Sequence, residues 1–120
     1  MTPQALHAIA NNWIDAFNAK DLEELLRLYA DDAEHFSPKL KARHPETNGL
    51  IRGKSSLRAW WKDAFERLPT LSYQLTRLTA EENRVFMEYV RRVKGEEDLH
   101  VGEMLEIREG LIVSSTVFHR

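Results

Sequence analysis

The apolar residues of this chain change their spacing once, at Pro69, and that change constrains the fold more than any other feature. Before it they recur every three or four positions; after it they alternate. A repeat near 3.6 residues marks helices with one buried face, and a repeat of two marks strands with one buried face. Helices first and strands afterwards is an α+β order, in which an antiparallel sheet buries its apolar side under helices of the same chain.

In the first segment Leu6, Ile9, Ala10, Trp13 and Phe17 form one helical stripe, with Thr2 and Pro3 suited to its cap and first turn. Asp21 followed by Glu24 announces a second helix whose buried side is Leu22, Leu25, Leu26 and Tyr29. Asp31 and Asp32 interrupt the period, and Ala33 to Ser37 reads as a short extended piece. It is expected to end at Pro38, whose ring pushes Ser37 out of helical space. Residues 38–53 have no period and carry Pro45, Asn48 and Gly49, so they read as a long connection. Its basic residues Lys39, Lys41, Arg43, Arg52 and Lys54 either meet an anionic ligand group or simply solvate a loop. A third helix, Leu57, Trp60, Trp61, Ala64, Phe65 and Leu68, begins at Ser55 or Ser56 and stops at Pro69.

Four strands follow, with inward sets Leu71, Tyr73, Leu75; Val85, Met87, Tyr89, Arg91, Val93; Val101, Glu103, Leu105, Ile107; and Val113, Ser115, Val117, His119. Lys94-Gly95-Glu96 and Glu109-Gly110 fit hairpin turns, so the last three strands should form an antiparallel meander. Residues 1–120 are expected to make one domain: a curved, cone-shaped antiparallel sheet packed on three N-terminal helices. The opposite face, with Phe86, Glu88, Val90, Arg92, Met104, Glu106, Ile112 and Phe118, mixes apolar and charged groups as subunit contacts do, and a homodimer is expected.

Composition narrows the chemistry. A net charge of −2 supplies no field for a nucleic acid or an anionic membrane surface. The absence of cysteine removes disulfides and thiolate chemistry and fits a reducing compartment. With no basic leader and no apolar run of ~20 residues, a cytoplasmic location without a membrane partner is expected. His7, His35, His44, His100 and His119 show no paired spacing with a third ligand, and no phosphate-binding glycine loop or serine elbow occurs. No metal and no cofactor are expected.

The run Trp13-Ile14-Asp15-Ala16-Phe17-Asn18-Ala19-Lys20-Asp21, then Leu25-Leu26-Arg27-Leu28-Tyr29-Ala30-Asp31-Asp32-Ala33, resembles the opening of SnoaL-like polyketide cyclases and bacterial ketosteroid isomerases. Gly53-Lys54 with Trp60, and the ending Leu105 to Val113 with Val117-Phe118-His119, are similar to the third helix and final hairpin of that nuclear transport factor 2-like superfamily. The resemblance implies a cystatin-like roll around a pocket for a small apolar molecule. It does not imply one reaction, because the superfamily hosts isomerases, dehydratases, epoxide hydrolases, cyclases and proteins that only bind or dimerise.

Carried over position by position, the isomerases' oxyanion tyrosine falls on Trp13, their oxyanion acid on Glu103 and their general base on Ser37. A serine cannot remove a carbon-bound proton unaided, so steroid isomerisation by that route is expected to be absent. The epoxide hydrolases' Arg and Asp, two apart on a strand, find only Tyr89 and Arg91 here. His35, Tyr89 and His119 resemble the dehydratases' inventory in type.

Alternation aims Glu103 at apolar surroundings, which is costly for a carboxylate unless it is protonated or paired. A carboxyl held neutral in an apolar site is the device with which ketosteroid isomerases donate to an oxyanion. The plainer alternatives are a structural pair with Arg91 or His119, or a place at the rim. His119, on the neighbouring strand, is a candidate partner for proton transfer, and Tyr89 a candidate donor. His35 and Ser37 share a face and can orient a substrate or a water, although His35 can equally be a satisfied structural histidine. Glu103, His119, Tyr89 and His35 are the catalytic candidates, with Glu103 on the oxyanion and a histidine moving the proton. Trp13, Phe17, Ser37, Trp61, Met87, Arg91, Val101, Ser115 and Val117 are the ligand-binding candidates.

Overall fold

A computed structural model describes residues 1–120. The order of elements is α1 (Pro3–Asn18), α2 (Leu22–Arg27), β1 (Tyr29–Phe36), α3 (Pro38–Arg43), a 3₁₀ turn (Pro45–Thr47), β2 (Leu50–Arg52), α4 (Lys54–Arg67), β3 (Ser72–Glu81), β4 (Arg84–Arg92), β5 (Leu99–Arg108) and β6 (Leu111–His119). The first two helix starts follow the sequence, Thr2 accepting from the Ala5 amide at 3.0 Å and Asp21 from the Glu24 amide at 3.1 Å, whereas α4 begins at Lys54 after Gly53, without a side-chain cap, and not at Ser55 or Ser56. No helix is long and apolar enough to cross a membrane.

The strands form one unclosed sheet in the order β2-β1-β6-β5-β4-β3, antiparallel throughout except for the parallel β1–β6 pair. Irregularities between Tyr29 and Glu34, Leu75 and Arg77, and Glu106 and Ile107 let it bend. Helix α1 packs on β3 and β4, and α4 on β1 and β2. Rows of paired residues cross the covered face from its deep end to its open end: Val85, Leu105, Ser115, His35; then Met87, Glu103, Val117; then Tyr89, Val101, His119; then Arg91, Leu99. Trp13, Phe17, Leu25, Tyr29, Leu57 and Leu105 are essentially solvent-free, each burial of this size contributing about 1.5–3 kcal/mol.

Four further local expectations are corrected. Tyr29 begins β1 instead of ending a helix, and Asp31 and Asp32 sit exposed within that strand. Pro38 starts helix α3 rather than ending order. The extended backbone that a proline imposes on its predecessor is also what an N-cap requires, and the Ser37 hydroxyl accepts from the Lys39 amide at 3.2 Å. The remainder of the supposed loop holds a 3₁₀ turn and the edge strand β2, so the sheet has six strands where four and an extended piece were expected. The bulge beside Ile107 shifts parity, pairing it with Ile112. Ile112 is therefore fully buried, not part of the outer face, and Val113 leaves the inward set.

Candidate functional site

Between the covered face of the sheet and helices α1, α3 and α4 lies an open cavity of about 330 Å³. Its apolar wall is a continuous stack of rings: Trp13 on Phe17 with centroids 5.2 Å apart, Phe17 on Tyr73 at 4.0 Å, and Tyr73 on Tyr89 at 4.2 Å. Trp60, Trp61 and Ala64 of α4 close the opposite side.

Glu103 lies in this wall, only 1% exposed. The Tyr89 hydroxyl donates to its Oε1 at 2.7 Å, whereas Oε2 has no partner. Burial pushes the Glu103 carboxyl up to about 7, outweighing the Tyr89 hydrogen bond, which favours the ionised form. The same burial, with Glu103 nearby, raises the Tyr89 and Tyr73 phenols, which stay protonated. Because Oε1 is already accepting, the acid proton belongs on Oε2.

A second polar group is held by a chain of hydrogen bonds through the core. Trp13 Nε1–H donates to the Tyr29 hydroxyl at 2.9 Å, and Tyr29 donates to Ser115 Oγ at 3.0 Å. Ser115 Oγ lies 2.7 Å from His35 Nδ1. An indole can only donate, so Tyr29 accepts there and passes its one proton to Ser115; Ser115 Oγ, with one proton and two lone pairs, can donate to Nδ1 or accept from it, depending on the tautomer. The other His35 nitrogen, Nε2, has no protein partner, on a ring that lines the cavity. Burial lowers the His35 imidazole to about 4, so it is neutral at pH 7. The chain thus holds the His35 ring in the cavity wall. Removing the middle of the chain should be felt. Tyr29→Phe strands the Trp13 N–H and is expected to cost about 1–3 kcal/mol of stability, read by urea denaturation.

His119 lines the mouth and is largely exposed, making no hydrogen bond to Glu103. Partial burial and the neighbouring Lys39 and Arg91 charges lower its pKa. It pairs in register with Val101, one row rimward of Glu103. Arg91 is also free of Glu103: its guanidinium holds Glu96 at 2.9 Å.

Of the residues expected to bind ligand, Trp13, Phe17, Ser37, Trp61, Arg91, Val101 and Val117 line the cavity. Met87 and Ser115 do not. Both are fully buried in the floor, Met87 as packing and Ser115 as the link to His35. Sequence reasoning missed Tyr73 and Tyr29. Tyr73 was readable from its alternation with Leu71, but Tyr29 was hidden by its apparent place on a helix. No group of three or more metal-ligating side chains occurs.

The sequence matches the SnoaL-like domain family over residues 10–115. A SnoaL-like protein of unknown function from Burkholderia thailandensis is 26% identical, with a TM-score of 0.89 covering 100% of this chain and 98% of that one. A candidate ketosteroid isomerase from Kribbella flavida is 23% identical, with a TM-score of 0.80 over 98% of this chain and 78% of that one. A candidate polyketide cyclase from Sinorhizobium meliloti is 15% identical, with a TM-score of 0.80 over 98% and 100%. No curated protein matches.

Proposed function

The chain belongs to the SnoaL-like domain family, and from that premise we propose that it binds a small, largely apolar carbonyl or hydroxyl compound and moves a proton on it without a cofactor, as an isomerase, cyclase or lyase does. The observation that carries this reading is Glu103: a buried acid with one oxygen fixed by Tyr89 and the other unpartnered in the wall of an aromatic cavity. A carbonyl oxygen placed there would receive a hydrogen bond from Glu103 Oε2–H, and the charge that develops on it would be held among aromatic side chains. His119 is the remaining base. It takes a proton from the carbon next to the carbonyl, the C–H electrons pass to oxygen to give an enolate hydrogen-bonded by Glu103, and return of the proton from His119 to another carbon completes the shift.

α-Tetralone in deuterium oxide tests this. It is expected to quench the cavity tryptophans saturably and to gain deuterium beside its carbonyl faster than in buffer. Glu103→Gln should slow that gain about 100-fold, the usual loss for one oxyanion donor. The exposure of His119 favours a second reading, binding without turnover. Saturable quenching with exchange no faster than in buffer would select it and remove the catalytic half of the proposal.

A further inference from the structure

The mouth of the cavity has a charge that the chain as a whole does not. Lys39, Arg43, Arg67 and Arg91 all line it, although the protein's net charge is −2. Carboxylates answer only part of this. Asp63 takes both Arg67 at 2.7 Å and Arg43 at 3.7 Å, and Glu96 takes Arg91. Four cations against two carboxylates leave an excess of two positive charges beside a neutral His119. Lys39 is the cation without an ion pair, exposed at the start of α3 and close enough to Glu96 and His119 to depress both. By contrast, Arg52 and Lys54, from the same basic stretch, are occupied on the outside by Glu34 and Asp31.

Resting on the proposed function above, we infer that the ligand is an amphiphilic acid: an apolar body with a hydrogen-bond acceptor at the Glu103 end and a carboxylate at the mouth, seated on Lys39 and Arg91. Two features of the structure argue for this over a neutral ligand. Arg91 is nine-tenths buried on the cavity side of β4, and the carboxylate satisfying it comes from the exposed turn after that strand, which leaves guanidinium N–H groups for an incoming anion. Lys39, exposed at the mouth, has no carboxylate partner, so an anion seated there meets a cation that no intramolecular ion pair competes for. The two ends are also far enough apart to act on different parts of one molecule. Arg91 lies four residues along β4 from Met87, the residue opposite Glu103, a strand length of about 13 Å.

The test compares ω-benzoylheptanoate with its methyl ester, by quenching of Trp13, Trp60 and Trp61 in the intact protein. The acid is expected to bind about tenfold more tightly at low salt, with the preference shrinking as salt rises. Lys39→Ala should reduce it to about twofold and Lys39→Glu should reverse it. Equal binding of acid and ester, or an undiminished preference in both variants, overturns the inference while leaving the proposed cavity function standing. Failure of both compounds to bind overturns the two together.

Discussion

Above about pH 8, Glu103→Gln is expected to be more stable than the parent protein by about 3 kcal/mol, and near pH 4 the difference is expected to vanish. The reason lies in one buried proton. Glu103 has a carboxyl pushed from 4.5 to about 7, so between those values the folded protein holds a proton that the unfolded chain has released. Stability therefore falls as pH rises through that window, at about 1.4 kcal/mol per pH unit, and stays low above it. Glutamine reproduces the neutral acid: its oxygen accepts from Tyr89, its amide takes the place of Oε2, and nothing ionises. Thermal melts at both ends of the range read the result, with a gain of roughly 10 °C above pH 8. An acidic group kept where it weakens the fold is what a functional site demands of a stable domain.

The second large effect has the opposite sign. His35 is lowered from 6.5 to about 4, so between those values the unfolded chain holds a proton that the folded protein refuses. Stability then rises with pH through the window, again at about 1.4 kcal/mol per unit. His119 adds a smaller slope of the same sign because water screens it. The exposed Glu23, Asp63 and Glu96 pairs act at lower pH and weakly. The two buried groups nearly cancel, so the parent protein is expected to show little pH dependence between about pH 5 and 6.5. His35→Asn keeps a hydrogen-bonding partner for Ser115 and removes the titration. It is expected to expose the Glu103 slope, with stability falling by about 2–3 kcal/mol from pH 4.5 to 7. Glu103→Gln should expose the mirror image. Any packing lost against Trp61, whose ring lies 5.3 Å from His35, shifts the whole curve without changing its slope.

How much of this was legible in the sequence depended on where bulges fall. Glu103 and Tyr89 were readable because β4 and β5 pair without interruption from Arg84 to Arg91, so simple alternation placed both on the covered face. Ile112 and Val113 were not, since the bulge at Ile107 reverses parity just before them. Helices α1 and α4 were clear from long apolar stripes. Segment 38–53 was obscure because its elements are too short to show a period, and Pro38 looks the same before a helix as after a strand. The His35–Ser115 bond was beyond reach. It spans 80 residues through a parallel strand pair that no hairpin signal announces.

A carboxyl-carbon NMR titration, with the Glu103 signal identified by its absence from Glu103→Gln, bears most directly on whether a neutral acid faces the cavity. A midpoint near 7 is expected, shifting upward when a carbonyl ligand occupies the site. A midpoint at or below 4.5 would show an ionised, solvated carboxylate and contradict the account.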